Sequence, residues 1–259
     1  MQELPRPARL YVSAIIVVGL TLLVVRLPDA TFAQPLLFIA LLVLSSMSAA
    51  LKVYLPLTTN RSTMSVSYAV DFASLLLLGP HETMLVAAGS AFSQCHLNSK
   101  DRNPPHRTLF SVASLVITVQ AAGLAFHALG GARSSMPLMQ LARPLVGAAT
   151  VYFLLNTGLI ATAIALSTRA KIITTWNNNF LWSAPSYFVG AGSAALAASF
   201  VSHAGYWVAP LTFAPLYLTY RTYKVYMGRI DDEQRHVQQT SDLHLATIEA
   251  LARAIHAMD

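Results

Sequence analysis

Residues 171–221, KIITTWNNNFLWSAPSYFVGAGSAALAASFVSHAGYWVAPLTFAPLYLTYR, place 49 residues between two cations without one Lys, Arg, Asp or Glu. An average soluble domain carries about 25% charged residues. The whole chain of 259 residues carries 11%, with 55% apolar residues and a mean hydropathy of +0.53. That composition excludes a soluble enzyme, a soluble DNA-binding domain and a disordered chain. A helix crosses the hydrocarbon core in about 20 mostly apolar residues, so the uncharged run is too long for one crossing. His203-Ala204-Gly205 divides it into spans at 180–202 and 206–220.

The same charge-to-charge reading cuts the rest of the chain into apolar pieces at 10–25, 30–51, 62–80, 83–99, 108–132 and 144–168. The fold class expected is an all-α integral membrane protein of about eight transmembrane helices. The pieces 62–80 and 83–99 are short and joined tightly at Leu78-Gly79-Pro80-His81, so they read either as two spans or as a re-entrant pair. The first piece reads as a retained membrane helix rather than a cleaved signal. With the N-terminus inside, 14 of the 17 basic residues fall on the inner side and only Arg26, Arg133 and Arg143 outside. This positive-inside pattern places both termini in the cytoplasm, and it accounts for most of the net charge of +6 without nucleic acid as a partner. Aromatic residues gather where interfaces are expected: Tyr206-Trp207 outside, Trp176, Phe180 and Trp182 inside, and Tyr217, Tyr220, Tyr223 and Tyr226 at the exit of the last span. Ser186, Gly190, Ala194, Ala198 and Ser202 recur every four residues, a small-residue ridge for close helix packing within the bundle or between copies.

The composition changes at Gly228. Residues 1–227 carry 19 charges and residues 228–259 carry nine. The tail reads as one cytoplasmic connector helix with an unbroken heptad. One seam position takes Met227, Gln234, Ser241, Ile248 and Ile255; the other takes Ile230, Val237, His244, Leu251 and Met258. Such a seam predicts a parallel homodimer, with the polar positions in its middle weakening it while fixing its register. Residues 1–227 are therefore expected to form a transmembrane sensor domain, and 228–259 a coiled-coil signalling helix that leads into an effector lying beyond this sequence.

Asp71 is the most informative candidate for chemistry. It sits at the midpoint of 62–80, where an acid costs about 2.5–3.5 kcal/mol to insert and by default marks function. It is a candidate for sensing a small ligand, an ion or a proton, or for a structural hydrogen bond. Arg143, before Pro144, is a candidate partner for Asp71 or for an anion, or snorkels to headgroups. Asn156 lies midway along its span, where an amide bonds a neighbouring helix. His127, near an outer helix end, is a candidate pH sensor. Asn177-Asn178-Asn179 reads as a polar turn, and the basic loop 100–107, KDRNPPHR, as a contact for anionic lipid heads. Cys95, His96 and His106 match no zinc spacing, and no metal or cofactor is expected.

Two stretches resemble known families. Residues 244–259, HLATIEALARAIHAMD, resemble the opening helix of HD-GYP cyclic-di-GMP phosphodiesterase domains. Residues 67–80, SYAVDFASLLLLGP, with 81–95, are similar to the multi-span membrane-associated sensor domains of MASE type. Asn156-Thr157-Gly158-Leu159 and residues 176–185 fit the same likeness. No His-Asp or Gly-Tyr-Pro motif occurs, so no catalytic residue of the phosphodiesterase family carries over. The resemblance implies the input half of a cyclic-di-GMP signalling protein in the bacterial inner membrane, itself not an enzyme. Three rivals are a substrate-binding component of a vitamin-type transporter, an intramembrane enzyme, and a passive anchor and dimeriser.

Overall fold

The computed structural model describes residues 4–50, 52–54, 63–65, 67–96, 104–132 and 138–204, with the single positions Val225 and Asp232. Two compact units divide the chain: Met1–Lys52 with Ser65–Tyr217, and Val53–Met64 with Leu218–Asp259. The described α-helices belong to the first. They are α1 (Arg6–Arg26), α2 (Pro35–Ala50), α3 (Ser67–Leu77), α4 (Pro80–His96), α5 (Pro105–Ala128), α6 (Leu138–Thr168), α7 (Ile172–Asn179) and α8 (Ala184–Ala204). Strands β1 (Lys52–Tyr54) and β2 (Thr63–Ser65) pair as a two-stranded sheet.

The expectation of about eight transmembrane helices is overturned. Among the described residues four helices are long and apolar enough to cross a membrane: Arg6–Asp29, Pro105–Ala128, Gln140–Thr168 and Leu181–Val201. Several of the intervals between charges are not helical throughout. The interval 62–80 opens in β2 and closes in a turn, leaving α3 with 11 residues, about 16 Å against a hydrocarbon core of about 30 Å. The interval 30–51 spends its first five residues outside helix, so α2 has 16. Glu82, read as a boundary charge, is buried within the first turn of α4. The expected span 206–220 and every seam position from Met227 to Met258 lie outside the described residues.

Helix α5 is the hub, packing against α1, α4 and α6, while α2 rests on α4 and α3 on α8. Small residues permit these approaches. A Cβ on Gly19 of α1 would lie 2.5 Å from the Cα of Ala113 on α5, so the two backbones touch there. Gly79, at φ +95°, ends α3 in the left-handed conformation that glycine adopts without steric cost. The amides of Leu78 and Gly79 both donate to the Ser74 carbonyl, at 2.7 and 3.2 Å. Gln120 of α5 clamps the start of α4 by donating from Nε2 to the Pro80 carbonyl at 3.0 Å.

Outward faces are apolar. Leu36, Ile39, Val43 and Met47 expose one stripe of α2, and Val17, Val18, Val24 and Val25 do so on α1. In water such surface is a liability; against lipid it is the solvated face. Helix hydroxyls accordingly turn back on their own backbone, as Thr118 does to the Ser114 carbonyl at 2.7 Å and Thr162 to Gly158 at 2.8 Å. The protein resides in a membrane.

The Gly19 contact makes a paired prediction. Gly19→Ala should lower stability by about 1–3 kcal/mol, since backbone must separate. Gly192→Ala, with nothing within 4 Å of its Cβ position, should change stability by less than about 0.5 kcal/mol. Thermal unfolding of the two variants in one detergent measures the difference.

Candidate functional site

Asp71 is buried, with 1% of its surface exposed. The Tyr152 hydroxyl on α6 donates to its Oδ2 at 2.7 Å, and the Ser45 hydroxyl on α2 donates to its Oδ1 at 3.2 Å. One short helix thus presents a carboxylate to donors from two others. The short Tyr152 bond lies at the strong end for an O–H donor to a carboxyl oxygen. Each carboxyl oxygen has a donor, which a carboxylate in an apolar interior requires.

An aromatic layer surrounds the pair. Phe72, next to Asp71 on α3, meets the Tyr152 ring at 4.9 Å between centroids. Tyr68, one turn earlier on α3, stacks on Tyr187 of α8 at 4.5 Å. Gly190, one turn along α8 from Tyr187, permits this: a Cβ there would sit 2.4 Å from the Tyr68 ring. Tyr187 lies 5.9 Å from Tyr152 and 5.3 Å from Phe153, and its hydroxyl accepts from Asn156 Nδ2 at 2.9 Å. Tyrosine combines an apolar ring with a donor that needs a partner when buried, so a tyrosine layer around a carboxylate satisfies both demands. Ser74, one turn along α3 from Asp71, is fully buried with its Oγ unpartnered.

The expected site residues therefore separate. Asp71 and Asn156 enter one network, joined through Tyr152 and Tyr187. Arg143 does not pair with Asp71; it is exposed on α6, which begins at Leu138 rather than at Pro144. His127 is exposed, its Nδ1 lies 3.0 Å from the Gly131 carbonyl, and its ring meets Phe126 edge-on, so it closes the end of its own helix. Of the packing ridge, Gly190 and Ala194 are buried, and Ser186 and Ala198 are half-buried. Among the described residues no three of His, Cys, Asp and Glu gather in a way that would hold a metal ion.

Sequence reasoning missed Ser45, Tyr68, Tyr152 and Tyr187. They carry no charge and stand in apolar runs, where only their hydroxyls signal a buried partner. It also missed Glu82, 3% exposed, whose Oε1 accepts from both the amide and the hydroxyl of Thr31 at 3.1 Å. That contact fixes the loop between α1 and α2 to the start of α4, where an acid also suits the positive end of the helix.

The network predicts an asymmetry between the two donors. Tyr152→Phe should destabilise by about 1–3 kcal/mol because it strips a buried carboxyl of its shorter bond. Ser45→Ala should cost less, and the two effects should be non-additive. A double-mutant cycle by thermal unfolding measures both.

A family model described as MASE9 matches residues 24–224. No curated protein and no solved structure matches the chain. The chain belongs to the MASE9 family. It is a multi-span membrane sensor domain.

Proposed function

We propose that this MASE9 domain is the input module of a bacterial cyclic-di-GMP signalling protein of the HD-GYP type, and that Asp71 is the group through which it senses. The observation carrying the reading is the buried Asp71 carboxyl held by Tyr152 and Ser45. A sensor needs an element whose equilibrium a stimulus can bias. A carboxyl that joins α2, α3 and α6, and reaches α8 through Tyr187, is such an element. A ligand, ion or membrane change that competes for Oδ2 displaces Tyr152 of α6, and one that competes for Oδ1 displaces Ser45 of α2. Ligand identity is left open to a small molecule, an ion or a membrane property.

The output side of the proposal rests on residues 244–259 and their resemblance to the opening helix of the phosphodiesterase domain. The heptad seam from Met227 to Met258 would dimerise and carry a shift of the bundle into the effector. The distribution of basic residues favours cytoplasmic termini in the inner membrane. Arg143 and His127 lie outside the buried network.

Asp71→Asn keeps the shape and removes the ionisable group. In the whole protein expressed in bacterial membranes, it should change intracellular cyclic-di-GMP by about fivefold or more, the scale of a typical coupling free energy. Unchanged levels across stimuli, with the variant folded, would remove Asp71 from sensing. For the dimer, Leu251→Cys in a Cys95→Ser background should give disulfide-linked dimers on oxidation, whereas a product that stays monomeric contradicts the seam.

A further inference from the structure

Between Asp101 and Asp231 the chain contains no acidic residue. Within that interval the link from α6 to α8 is built unlike a simple connection. Arg169 ends α6 with φ +57°, a left-handed position that ordinarily takes glycine. The Ala170 amide closes the helix on the Ala165 carbonyl at 3.0 Å. Arg169 and Lys171 are both exposed, and neither makes an ion pair among the described residues.

Helix α7 follows at once and has three sectors. Thr175 and Trp176 face the protein: Thr175 is buried, and Trp176 Nε1 donates to Thr157 Oγ1 of α6 at 2.9 Å. Ile172 and Ile173 are exposed at 44% and 74%, and Trp182, just beyond the helix, at 36%. Thr174, Asn177 and Asn178 form the exposed polar side. A short helix with an apolar sector, a polar sector and adjoining cations at the end of a membrane span has the architecture of an interfacial element. We infer that α7 lies in the membrane interface and binds anionic phospholipid headgroups through Arg169 and Lys171, with Ile172, Ile173 and Trp182 seated among the upper acyl chains.

The charge argument selects the partner. Two cations with no acid in their own stretch of chain leave positive surface that zwitterionic lipid does not neutralise, whereas the anionic leaflet does. The inward contacts give the element a route to the buried site. Trp176 packs on Phe153 at 5.8 Å, Phe153 on Tyr187 at 5.3 Å, and Tyr187 bonds Asn156. The inference stands beside the sensing role of Asp71, and its test reads lipid contact alone, so either can fail without the other.

Replacing Trp207 with Phe leaves Trp176 and Trp182 as fluorophores. The full chain is reconstituted in vesicles of phosphatidylcholine and phosphatidylglycerol, with bromine on the acyl chains of one lipid or the other. Brominated phosphatidylglycerol should quench about threefold more steeply than brominated phosphatidylcholine at equal content. Arg169→Gln with Lys171→Gln should abolish the preference, and Arg169→Lys with Lys171→Arg should retain it. High salt should also suppress the preference in the parent chain, which decides the matter if the glutamine variant does not fold. Equal quenching by the two lipids overturns the inference. So does a preference that survives the glutamine substitutions or resists salt.

Discussion

A carboxyl group buried among apolar helices is tolerable only with donors for its oxygens, and Asp71 dictates where those donors come from. Helix α3, with 11 residues, supplies the acid but spans only about half the hydrocarbon thickness. Ser45 must reach it from α2 and Tyr152 from α6. Tyr187 of α8 packs beside Tyr152, and Asn156 satisfies its hydroxyl. Removing one partner leaves a buried polar group unpaired, which costs more than the bond itself contributed. The hydrogen bonds of α2, α3, α6 and α8 around Asp71 therefore depend on one another.

The surrounding lipid sets the remaining rules. No hydrophobic force drives helix against helix in a bilayer, so close packing and internal hydrogen bonds do the joining. Gly19 against Ala113 and Gly190 against Tyr68 are instances of the first. Gln120 on the Pro80 carbonyl and Thr31 on Glu82 are instances of the second. Both polar contacts hold the turns around the short helices α3 and α4, the part of the molecule that carries Asp71.

Much of this was legible in the sequence, and the reasons for the remainder are specific. The uncharged run 172–220 and the low charge of residues 1–227 identify a membrane protein without further help. Asp71 stands out because charge amid apolar residues is expensive. Helix lengths were not legible, because intervals between charges include strands and turns: β2 and Gly79 both fall inside 62–80. Glu82 was misplaced because an acid at the edge of an apolar run looks like a boundary, and only Thr31, 51 positions away in sequence, reveals it as buried. The tyrosines were hidden because their roles depend on which helices become neighbours. Arg143 and His127 attracted attention by residue type, yet the fold leaves both exposed.

The central claim is that the Asp71 carboxyl holds α2 and α6 in one fixed relation. Val43 on α2 and Leu154 on α6 are both exposed and suit spin labels, introduced as Val43→Cys and Leu154→Cys in a Cys95→Ser background. Pulsed electron-electron distance measurement in a bilayer should give a single narrow distribution for the chain with Asp71 intact. With Asp71→Ala the distribution should broaden or shift. Superimposable distributions from the two proteins would contradict the account.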